Sequence, residues 1–188
     1  MKILDSRRKN FYNELDKILN KRKVVDRSTL RIVEKIINDV RKNKDKALIK
    51  YEKRFNANTR IIPSNKDILK AVKSINPKIK EAIDETCRRV KDWHVKQKPK
   101  DIFYNDKLNN KFYYKNKAIY SAACYVPGNL PSSLIMSATP AIIAGVKRIV
   151  LCTPSLKGKL NGAVYYAAKK LGIKEYYSLI MQTKTLLN

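Results

Sequence analysis

Through the first hundred residues apolar positions recur every three or four places, which is the period of a helix packed on one side. Lys9 to Lys23 sets Phe11, Leu15, Ile18 and Leu19 on one face and a strongly basic surface on the other. Ser28 or Asp26 is placed to cap the next helix, whose stripe is Leu30, Val33, Ile37 and Val40. Asn43-Lys44-Asp45 interrupts that stripe before Ala47, Leu48, Tyr51 and Phe55 resume it, so the spacing predicts two helices or one bent helix. Pro63-Ser64 followed by Asp67 is a capping signal for a short helix through Leu69 and Val72. Asn76-Pro77 opens a longer one, in which Ile79, Ile83, Cys87, Val90 and His94 step along one face until Lys98-Pro99.

Beyond residue 100 the period shortens. Phe103 to Tyr120 is rich in Tyr, Asn and Lys and predicts a hairpin or extended segment, half-buried with a solvated basic face. Ile119 to Val126 lacks clean alternation, as expected of a parallel strand covered on both faces. Pro127-Gly128-Asn129 ends it in turn chemistry, with Gly128 suited to a positive φ. Pro131-Ser132-Ser133 then starts a helix carrying Leu134, Ile135, Ala138 and Ile142, stopped at Gly145 and kinked or broken at Pro140, where a backbone donor is missing. Arg148 to Thr153 is a second strand, Leu156 to Gly162 a loop, Ala163 to Leu171 a helix ended by Gly172, and Ile173 to Leu179 a third strand.

The fold class is therefore α/β: an N-terminal helical region over residues 1–100, an extended connector over 101–117, and an incomplete Rossmann-like, doubly wound, parallel βαβαβ unit over 118–188. Such a unit, holding three strands, has an unpaired edge and one under-covered face, so a partner or aggregation is expected unless the helical region covers them.

The 188 residues are 44% hydrophobic, enough to supply a core. There is no apolar run of the roughly 18 residues a membrane helix needs, and the first ten residues lack a signal peptide's apolar centre, so no membrane association and a cytoplasmic location are expected. Cys87, Cys124 and Cys152 are widely spaced and odd in number, which favours buried thiols over disulfides or a zinc knuckle. A formal net charge of +26 raises nucleic acid as a partner, and aromatics interleaved with lysines around Phe112-Tyr113-Tyr114 could stack bases. The charge is not concentrated, however. Lysine is spread through every segment together with Asn, Ile and Tyr, as an AT-rich coding sequence produces, so charge drift is favoured over a nucleic-acid site.

The stretch Tyr125 to Pro154, YVPGNLPSSLIMSATPAIIAGVKRIVLCTP, resembles the signature block of the histidinol dehydrogenase family, with its Tyr-x-Pro-Gly-Gly turn, Pro-Ser-Ser/Thr helix start, Pro-Ala-x-x-Ala-Gly helix end and Cys-Ser/Thr-Pro strand end. The resemblance implies an NAD- and zinc-dependent oxidation of L-histidinol to L-histidine in histidine biosynthesis, by a homodimeric enzyme. Within it, Tyr125 and Gln182 map onto NAD-binding residues. The sequence departs from the family at Asn129, which stands for the turn's second glycine, in a shorter loop up to Pro131, and at Leu179-Ile180-Met181, which stand for Gly-Gly-Ala before Gln182. Lys44 stands where the family has a glycine, which should weaken that turn.

The family's zinc ligands and its Glu-His proton-transfer pair belong to a portion of the family sequence without a counterpart in these residues, so no catalytic and no metal-binding residue is assigned. The single histidine, His94, is read as a partly exposed packing residue and Trp93 as a packing anchor. The resulting expectation is a truncated family member, inactive alone and doubtful in NAD binding. The alternatives are the first half of a split enzyme completed by a C-terminal polypeptide, a decaying gene product, and a basic nucleic-acid-binding protein.

Overall fold

The computed structural model describes residues 4–23, 27–56, 60–155 and 159–179. Among them, two compact units are distinguished, one ending at Ala47 and the other beginning at Leu48.

The first unit holds α1 (Phe11–Lys23) and most of α2 (Arg27–Asn56). Ser28 lies inside the first turn of α2 rather than capping it, and Asp26 is outside the described residues. The interruption anticipated at Asn43-Lys44-Asp45 is present as a bend: Lys44 takes φ 50° and ψ −132°, non-helical angles in the middle of α2. A side chain with a Cβ is strained there.

In the second unit α3 (Asn65–Lys73) starts as its sequence dictates, with Ser64 Oγ accepting from the Asp67 N–H at 3.1 Å and donating to the Asp67 carboxylate at 2.5 Å. It runs through Leu69 and Val72 as expected, with Ile68 buried and Leu69 exposed. The Asn76 side chain accepts from the Lys78 N–H at 2.9 Å and Pro77 occupies the first turn of α4 (Pro77–Gln97). Ile83 and Cys87 are the α4 residues that reach the core.

β1 (Ile102–Asn105) and β2 (Lys111–Tyr114) form an antiparallel hairpin closed by Asp106, which accepts from the N–H groups of Leu108 and Asn110, each at 2.8 Å. The half-buried reading of this segment is not met, since every residue of both strands is exposed. Its aromatics pair with one another across the ribbon, Phe103 with Tyr113 at 4.7 Å and Tyr104 with Phe112 at 6.0 Å between ring centroids, instead of entering the core.

The βαβαβ unit follows as β3 (Ser121–Tyr125), α5 (Pro131–Ala144), β4 (Arg148–Cys152), α6 (Gly162–Lys170) and β5 (Glu175–Tyr177), a parallel sheet in the order β3-β4-β5. Residues in register share a face, and the row Cys124, Leu151, Tyr176 packs with α5 and α6 into one core, against which α4 also lies. Both crossover helices therefore sit on that side. The opposite rows, Ala123-Val150-Glu175 and Tyr125-Cys152-Tyr177, carry no crossover helix, and Ala123 is exposed. The expectation that β3 is covered on both faces fails for this reason. α5 runs through Pro140 without a break, its buried Leu134, Ile135, Ala138 and Thr139 spanning the position of the missing donor. Gly145 ends it at φ 92°.

Candidate functional site

Open parallel sheets bind ligands beyond the carboxyl ends of their strands, where loops and helix N-termini converge. Here that end is formed by Tyr125, the last residue of β3, by Thr153 just after β4, and by Ser178 just after β5. The ladder extends past the strands to hold them together. Val126 N–H donates to Cys152 C=O and Thr153 N–H to Tyr177 C=O, each at 2.9 Å, and Ser178 N–H donates to Ile61 C=O at 2.7 Å.

The turn from β3 to α5 is closed by Leu130 N–H donating to Pro127 C=O at 3.1 Å. Gly128 is buried but does not take a positive φ, in contrast to the expectation; Gly145 and Gly172 are the described glycines that do. The turn is made by Pro127 and the hydrogen bond, so no left-handed position is needed. α5 then begins with Leu130 at the N-cap and Pro131 behind it, and no side chain caps it. An uncapped helix N-terminus offers main-chain N–H groups and a partial positive charge to an anion.

Tyr125 is half-buried at this edge. One residue beyond Cys152, the register partner of Tyr125, Thr153 is only 2% exposed and holds a hydroxyl with no partner among the described residues, although a buried hydroxyl normally finds one. Sequence reasoning took Thr153 as a strand end only. The available signal was a hydroxyl residue between a strand and Pro154, too common a pattern to single it out. Gln182, the second residue assigned to NAD, lies outside the described residues. A half-buried tyrosine at a strand's carboxyl end and an uncapped helix start after it suit a ring and a phosphate, so the residues present fit part of a dinucleotide.

They do not fit zinc. Such a site needs several N, O or S donors converging on one point, and no group of three or more His, Cys, Asp or Glu residues that could hold a metal ion occurs among the described residues. His94 lies in the last turn of α4, with its Nε2 buried and unpartnered among the described residues, so it does pack partly as expected. Trp93 is 60% exposed and does not anchor a core. Neighbouring positions on a helix face different ways, and α4 turns His94 inward and Trp93 out.

The cysteines are free thiols, Cys87 and Cys124 buried and Cys152 half-buried. Burial pushes the Cys87 and Cys152 thiols up, away from the nucleophilic thiolate. At the amino end of the sheet Arg148 clamps Glu175 with two hydrogen bonds, at 2.8 and 2.7 Å, and this holds the Glu175 carboxyl below its ordinary range. No described helix is long and apolar enough to cross a membrane.

Comparison with known proteins agrees on one family. A family model described as histidinol dehydrogenase matches residues 19–179. A histidinol dehydrogenase of Pelagibacter ubique (strain HTCC1062) is 53% identical over 183 residues, which is 95% of this chain and 42% of that protein. One from Gluconobacter oxydans (strain 621H) is 32% identical over 188 residues, 95% of this chain and 43% of that protein. The crystal structure of histidinol dehydrogenase from Elizabethkingia anophelis matches with a TM-score of 0.76 at 30% identity, covering 80% of this chain and 36% of its own. The chain thus spans less than half the length of these relatives.

Proposed function

The chain belongs to the histidinol dehydrogenase family, and on that premise we propose that these residues form a dinucleotide-facing portion of an enzyme that oxidises L-histidinol to L-histidine with NAD. The observation that carries the reading is the carboxyl edge of the parallel sheet, which carries Tyr125 at the end of β3 and, after the turn, the uncapped start of α5. Tyr125 would orient the bound dinucleotide, and the α5 N-terminus would receive a phosphate. Gln182 is the second NAD contact. When bound, NAD supplies the hydride acceptor.

Proton removal from the alcohol and zinc binding need side chains that the described residues do not bring together, and on this reading no turnover of histidinol is expected from the chain by itself. Mixing the purified chain with histidinol and NAD, with and without zinc, should yield no NADH. Sustained NADH formation would overturn the assignment. NAD binding is tested separately by calorimetry, where the parent chain should bind and Tyr125→Ala should weaken that binding.

Completion by a second polypeptide is the other reading, favoured by a specific observation. Ile102, Phe103, Tyr104, Phe112, Tyr113 and Tyr114 are each more than half exposed on an isolated hairpin, and a lone two-stranded ribbon is marginal in water. The portion of the Pelagibacter protein outside the matched region, co-expressed with this chain, should co-purify with it and restore turnover. Two polypeptides that purify apart would remove this reading.

A further inference from the structure

We draw no further inference here: the strongest candidate, the patch of exposed aromatic side chains on the hairpin of β1 and β2 (Phe103, Tyr104, Phe112, Tyr113 and Tyr114), carries nothing beyond the second reading above, because nothing in the structure shows what covers it.

Discussion

Replacing Gly162 with alanine should destabilise the second unit by about 3 kcal/mol, the upper part of the range for forcing one extra carbon into a packed site. Gly162 is the first residue of α6 and sits against the end of α3. A Cβ there would stand 2.1 Å from the Ala71 carbonyl oxygen, 2.7 Å from its carbon and 2.9 Å from Ile75 Cγ1. To reach even 3.0 Å, the limit that real Cβ contacts respect, the carbonyl must withdraw by about 0.9 Å. It is not free to do so, because it lies in the last turn of α3 and accepts from Ser74 Oγ at 2.9 Å. The obstruction is main chain, so no side-chain rotation relieves it and α3 must shift bodily against α6.

Urea unfolding followed by far-ultraviolet circular dichroism measures the loss. Gly162→Ala combined with Ala71→Gly should be as unstable as the single variant, since the second change leaves the carbonyl in place. Gly172→Ala is the reference: none of the described residues lies within 4 Å of its added carbon, but its φ of 73° is left-handed. Its cost should be only about 1 to 2 kcal/mol. A loss below about 1 kcal/mol for Gly162→Ala, or rescue by Ala71→Gly, would refute the close-approach argument.

Three further outcomes follow from other residues. Lys44→Gly should raise stability by about 1 kcal/mol in thermal melts, because it relieves a side chain held at φ 50° inside α2; a loss would show that the kink is not strained. The Glu175 carboxyl, lowered first by its hydrogen bond to Arg148, contributes stability that is present above the usual carboxylate range and lost as pH falls through its depressed folded value. Glu175→Gln should therefore flatten that part of the acid-unfolding curve, and an unchanged curve would count against the clamp. A formal charge of +26 should make the melting temperature rise as sodium chloride is raised from low to physiological concentration, since the Debye length shrinks to about 8 Å; a melting temperature independent of salt would contradict the self-repulsion.

Much of the fold was legible because its signals are local. Ser64 with Asp67, Asn76 with Pro77, and Gly145 after α5 set helix ends through bonds and angles within a few residues, and the structure has them where the chain placed them. That β3, β4 and β5 form a parallel sheet followed from strand and helix runs alternating along the chain. The family was legible by resemblance, since its turn and helix motifs are contiguous.

What the sequence by itself determined is thus the succession of elements, the α/β class and the family, all of which are written in short-range spacing. Tertiary structure alone decided which faces those elements share. Ile102 to Tyr114 has the composition of a half-buried sheet, yet its rings pair with each other in the open. Trp93 and His94 are neighbours in sequence and part ways on α4, and the hydroxyl of Thr153 became conspicuous only when its surroundings left it without a partner among the described residues. Gly162 looked like one more loop glycine until α3 was laid against it. Each of these depends on contacts between residues distant along the chain, and burial, orphaned hydrogen bonds and close approach are properties of such contacts, which no local pattern encodes.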